Sequence, residues 1–280
     1  MKLKIFVATL AIIVAWFAGH HLFHAGHIFH ASSGGAQSFT VGTGANEQIV
    51  NDSYTLAPGA RVEVSGINGP VEIVTTDSNV AEIHVENYVS DARDLEYHKI
   101  TVEHGADFLT VRAENRGNGG WGFLRWLVGH GGGGRSAHQH VLLKVPRQVE
   151  VATSGINGEV RVGELEGAVR VSGVNGEVTV ARAAGDAQFS GVNGNVTFGV
   201  ANPTDEGVRV SGINGDIVLR LAQDVNADVR MSGFSGEVDY DLKNVTIKDA
   251  ARSKWIARIG AGGPLIRMSG IHGNVHFAGV

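Results

Sequence analysis

The chain has 280 residues, with 28 Asp and Glu against 23 Lys and Arg and a net charge of −5. That balance gives no footing for nucleic-acid binding. Cysteine is absent, which excludes disulfides, thiolate metal sites, a thiol nucleophile and the lipidated cysteine of a lipoprotein anchor.

Lys2 and Lys4 precede an apolar run from Ile5 to Ala18. This run has the length of a signal-peptide core and is short for a membrane span. Small residues suited to cleavage, Gly34-Gly35-Ala36, lie well beyond it. A removed signal and an uncleaved inner-membrane anchor over residues 5–18 therefore fit equally, and residues 1–36 form this leader. Either way the lysines stay inside and the remainder is exported, to the periplasm or the cell surface. His20, His24 and His27 share a face if the helix continues, a spacing that can hold a metal. No carboxylate lies nearby in sequence, and the alternative is imidazoles at the membrane–water boundary. No cofactor is expected.

Residues 37–60 read as a linker and an entry strand. The domain proper spans 61–280 and opens with R-V-E-V-S-G-I-N-G-P-V-E-I-V. Alternating stretches at 80–89 and 99–113 read as wider coils, with Ser90 to Tyr97 as a corner or short helix. Residues 114–140 break the pattern as a glycine-flanked insertion carrying Trp121, Phe123, Trp126 and Leu127. An apolar loop of this kind either meets a membrane or partner, or folds back over an open end of the core.

From Val149 the chain becomes repetitive. The S-G-x-N-G core starts at Ser65, Ser154, Ser172, Ser190 and Ser211, and variants of it start at Ser232 and Ser269. Apolar pairs two residues apart flank each copy, such as Val169/Val171 before the serine and Val178/Val180 after the Asn-Gly. Period two with β-branched residues marks half-buried strands. Asn-Gly between such runs is a hairpin cue, so an antiparallel meander is one topology. The recurrence of both strands, both corners and the polar residues together favours the other. This is an all-β, single-stranded parallel β-helix or β-solenoid with coils of 18–21 residues. In it Asn157, Asn175, Asn193 and Asn214 stack as an amide ladder. The last strand, at Asn274 to Phe277, would leave an open edge.

The span from Arg61 to Val280 resembles the bacterial “putative adhesin” domain family, related to auto-transporter adhesin head domains. The carriers are V-E-V-S-G-I-N-G-P-V-E-I, V-L-L-K-V-P-R-Q-V-E-V at 141–151, the S-G-x-N-G series and G-A-G-G-P-L-I-R-M-S-G-I-H-G-N-V-H-F at 260–277. The resemblance implies a right-handed β-helix-like solenoid on exported proteins.

No catalytic motif accompanies the repeats. The chain lacks G-x-S-x-G, H-E-x-x-H, a Walker loop and an EF-hand pattern. The acids Glu159, Glu177, Asp216 and Glu237 share one repeat position and read as a solvated column. Two residues before successive serines stand Arg170, Gln188, Arg209, Arg230 and Arg267, a mostly cationic stripe. Its functional reading is an anionic ligand, because guanidinium pairs bidentately with carboxylate or phosphate. Its structural reading is solvated arginines paired with Asp186, Asp205 or Asp228. The expected protein is a non-enzymatic envelope module whose partners are envelope or surface glycans, or another protein. A polysaccharide-active β-helix enzyme and a membrane-anchored assembly component are the alternatives.

Overall fold

A computed structural model describes residues 46–115, 137–201, 203 and 207–280. The leader, its histidines and nearly all of the 114–140 insertion, including Trp121, Phe123, Trp126 and Leu127, lie outside these residues. The chain divides into Met1–Gly35 and Ala36–Val280, and the described residues all belong to the second unit. Among the described residues no helix is long and apolar enough to cross a membrane.

The described chain is all-β. Its first strands are β1 (Glu47–Thr55), β2 (Arg61–Ser65), β3 (Val71–Thr76), β4 (Val80–Val89), β5 (His98–His104), β6 (Phe108–Asn115) and β7 (Ala137–Pro146). A 3₁₀ turn, Ala92–Glu96, separates β4 from β5 and is capped by Asp91, whose carboxylate accepts from the Arg93 N–H. The repeats supply the pairs β8 (Glu150–Ile156) and β9 (Val160–Leu165), β10 (Val169–Asn175) and β11 (Val178–Ala183), β12 (Ala187–Asn193) and β13 (Val196–Val200), β14 (Val208–Asn214) and β15 (Ile217–Leu221), and β16 (Ala227–Ser235) and β17 (Val238–Tyr240). The hairpin β18 (Val245–Ala251) and β19 (Lys254–Ile259) precedes the last pair, β20 (Leu265–His272) and β21 (Val275–Gly279).

Each pair gives one strand to each of two sheets. One sheet has ten strands in the order β1-β4-β7-β3-β9-β11-β13-β15-β21-β17, and the other has eleven, β18-β19-β16-β20-β14-β12-β10-β8-β2-β6-β5. The strands flanking Asn175 are not bonded to each other. β10 pairs in parallel with β8 and β12, and β11 with β9 and β13, like residue opposite like residue. Asn-Gly is a corner between sheets here, not a hairpin turn, because the apolar runs on its two sides bury against each other across the core. Val169, Val171 and Val174 face Val178 and Val180 from opposite sheets, all nearly inaccessible.

A stacked irregularity sets which way the side chains point. In β10 the pattern is Val in, Arg out, Val in, then Ser172 and Gly173 both outward before Val174 returns inward. Gly173 has φ +61°, and equivalent glycines recur at Gly155, Gly191, Gly212, Gly233 and Gly270 with nearly the same angle. One residue in the left-handed region adds a step to the strand and restores the inward register.

The ends depart from the sequence reading. Residues 80–89 and 99–113 are not wider coils. β4 runs antiparallel to β1 and β7, and β5 antiparallel to β6. The stretch at 245–259 is the antiparallel hairpin β18–β19, which extends the eleven-stranded sheet past β16. The last strand is not an open edge either. β20 lies between β14 and β16, and β21 between β15 and β17, so the final pair of strands is interior.

Candidate functional site

The outer face of the eleven-stranded sheet carries two parallel rows. Two residues before the serine the row reads, in spatial order, Glu63, Ala152, Arg170, Gln188, Arg209, Arg267 and Arg230. Beside it runs a row of seven serines, from Ser65 through Ser154, Ser172, Ser190, Ser211 and Ser269 to Ser232. Arg112 stands opposite Ser65 at one end and Lys254 opposite Ser232 at the other. The serine is followed each time by glycine, so the strip next to the arginines is free of bulky side chains. Where Ala152 stands between Glu63 and Arg170, the row dips into a shallow depression of about 200 Å³.

The arginines do not follow sequence order. Insertion of β20 puts Arg267 between Arg209 and Arg230, so these three occupy consecutive rungs. All three are exposed. Among the described residues none of their side chains has an ion pair or a hydrogen bond. Arg170 differs, its Nη1 lying 3.1 Å from Glu150 Oε2. Asp228 does not neutralise the row: it takes Arg258 Nε at 3.1 Å instead. That hydrogen bond and charge hold the Asp228 carboxyl below its ordinary range. Strands are spaced about 4.8 Å apart, and unit charges at such a distance repel by about 1 kcal/mol even in bulk water. Three consecutive uncompensated guanidinia are thus a standing cost, which counter-charge from outside the chain would offset.

At the sheet edge next to these rows the asparagines line up. Asn214 Nδ2 donates to Asn193 Oδ1, Asn193 to Asn175 and Asn175 to Asn157, each at 2.9 Å, and Asn157 donates to Asn68 at 2.7 Å. The series continues inward through residues the sequence reading passed over. Asn68 N–H donates to Gln139 Oε1 at 2.7 Å, Gln139 Nε2 to Asn87 Oδ1, Asn87 Nδ2 to Gln48 Oε1, and Gln48 Nε2 to the Ile100 carbonyl. Gln48, Asn87 and Gln139 are buried. Their signal in the sequence was a polar residue at an inward position of an alternating strand. From Asn214 to Asn68 every side-chain amide donates the same way, so these dipoles align and reinforce one another, whereas the Asn68 side chain itself donates to the Ala137 carbonyl. At the far end Asn214 is followed by His272 and Ser235, and the ladder stops.

The acidic column has a structural task in part. Asn195 Oδ1 accepts from Asp216 N–H, Asp216 Oδ1 from Asn274 N–H, and Asn274 Oδ1 from Glu237 N–H, all at 2.8–2.9 Å. Asn195 thus continues the column as an acceptor, where by charge alone it interrupts it. Among the described residues no group of three or more His, Asp and Glu converges where a metal ion could sit. His20, His24 and His27 lie outside them.

No family model matches the chain, and no curated protein does. Three solved structures are similar in part. One is described as a “putative cell adhesion protein” from Clostridium sporogenes, with 11% identity and TM-score 0.38 over 83% of this chain and 100% of that one. Another is a “putative adhesin” from Bacteroides fragilis, at 8% identity and TM-score 0.31, covering 82% and 96%. A third is a “putative adhesin” from Parabacteroides merdae, at 12% identity and TM-score 0.23, covering 83% and 96%.

Proposed function

We propose that this chain is an exported, non-enzymatic binding module of the cell envelope, adhesin-like in role, which presents the outer face of its eleven-stranded sheet to an anionic envelope or surface glycan. In this reading the two sheets are the walls of a right-handed parallel β-solenoid, the hand that nearly all parallel crossovers take. The observation that carries it is the row of consecutive unpaired arginines beside a flat track of serines. Such a surface repeats weak contacts along its length, as stacked repeats do elsewhere. A catalytic site would instead need titratable groups gathered at one rung, apart from the repeat. Residues 5–18 deliver the domain across the inner membrane and either leave or stay as its anchor.

The test is retention of the full-length protein on purified envelope fractions and immobilised acidic glycans at low and physiological salt. Binding that weakens as salt rises is expected. No retention on any fraction, even at low salt, would overturn the reading. Incubation with a panel of acidic polysaccharides should yield no new reducing ends or unsaturated products, and their appearance would favour the glycan-active alternative.

A further inference from the structure

Resting on that binding reading, we propose that the ligand is a linear carboxylated polysaccharide lying along the stacking direction, its carboxylates held by Arg209, Arg267 and Arg230 in that order. Three features select this class. Consecutive guanidinia about 4.8 Å apart match a chain that offers carboxylates repeatedly, and each guanidinium can take one bidentately. The adjoining Ser211, Ser269 and Ser232 give hydroxyls that can both donate and accept, suited to sugar hydroxyls, with glycines beside them that let a chain lie flat. The third is what the rows lack: aromatic platforms for stacking bases and an apolar belt for entering a bilayer.

Because the row's order comes from strand insertion, Arg267 is the central cation and belongs to every contact longer than a single residue. The experiment uses the full-length protein and a size series of polygalacturonate fragments, with a neutral glucan, single-stranded oligothymidylate and anionic phospholipid vesicles in parallel. Affinity for polygalacturonate should rise with fragment length and fall with salt. Arg267→Gln should weaken it about tenfold, and the Arg209→Gln/Arg267→Gln/Arg230→Gln triple variant should abolish it, with thermal midpoints unchanged or raised by relief of repulsion. Arg182→Gln, at a paired arginine of the ten-stranded sheet, should change affinity by less than about twofold. Unaltered affinity in the triple variant would overturn the assignment while leaving the binding module standing. Tighter binding of oligothymidylate or vesicles than of polygalacturonate would also overturn it. Loss of binding to every envelope fraction by the wild type would remove both.

Discussion

Thr153 stands on a core row where the neighbouring rungs carry Val64 and Val171, and the rungs beyond them Phe189, Val210, Met268 and Met231. Its Oγ1 is buried and, among the described residues, has no partner. A buried hydroxyl without a partner costs about 1–3 kcal/mol, whereas an apolar group of the same shape costs nothing there. Thr153→Val should therefore raise stability by about 1 kcal/mol, seen as a higher urea midpoint with an unchanged slope. Asn175 is the reverse case, a polar group that both donates and accepts within the ladder. Aspartate there can still accept from Asn193 but cannot donate to Asn157, and it sets an anion against the Asn157 oxygen. Asn175→Asp should lower stability by about 1–2 kcal/mol at neutral pH. Asp228 supplies a pH signature. Its folded carboxyl lies below its unfolded value of about 3.9, so its contribution is present above that pH and lost as pH falls through the folded value. The pair with Arg258 is solvent-exposed, which limits the effect to under about 1 kcal/mol. Asp228→Asn should flatten the acid limb of stability below about pH 4 and leave the region above pH 6 parallel to wild type.

Two glycines with different duties show what holds a repeat in shape. Gly173 sits at φ +61°, yet a Cβ there would find its nearest neighbour at 3.5 Å, so the obstacle is conformation and not space. A side-chain-bearing residue in that region costs about 1–2 kcal/mol, less for asparagine, which bonds locally. Gly158 is the opposite: a Cβ would lie 2.2 Å from the Gly69 carbonyl oxygen of the adjoining repeat. Gly173→Asn should be much milder than Gly173→Val, and Gly158→Ala should exceed Gly173→Asn because only separation of the backbones relieves it. Thermal melts of the three variants check the ranking. The sequence made the repeat unit legible because its chemistry recurs: paired valines, then Ser-Gly, then Asn-Gly, each with a fixed address in the strand. It did not show that residues 80–89 and 98–115 pair antiparallel, because period two is the same for either direction. Nor could it order the arginines. Val208-Arg209-Val210 and Val229-Arg230-Met231 offer the same pattern to Ile266-Arg267-Met268, so either could have been its only neighbour.

At the scale of the molecule, both ends of the parallel stack are closed by antiparallel strands. β4 and β5 close the start, and the β18–β19 hairpin closes the far end. There Trp255 is buried and stacks on Phe277 with ring centroids 5.5 Å apart, covering the last apolar rung. The edge strand this hairpin presents, β18, is interrupted between Ile247 and Asp249 and carries Lys248, two features that discourage pairing with another chain. The final strands are fixed by neighbours on both sides, so order along the chain and order in space part company. In a simple array the terminal repeat frays first, since it has one neighbour. Here the terminal repeat has two. Ile266, Met268, Ile271, Val275 and Phe277 are as buried as any residue in the middle of the stack. Native-state hydrogen exchange should accordingly find the amides of β20 and β21 among the slowest in the protein and those of β18 among the fastest. Truncation after Gly263 should do more than shorten the stack. It removes the shared partner of β14 and β16, so the β16–β19 region should lose protection together with it. Fast exchange in β20 and β21, or a truncated chain that kept β16 and β19 protected, would place the final strands at the edge instead, and would separate Arg209 from Arg230 by a different route.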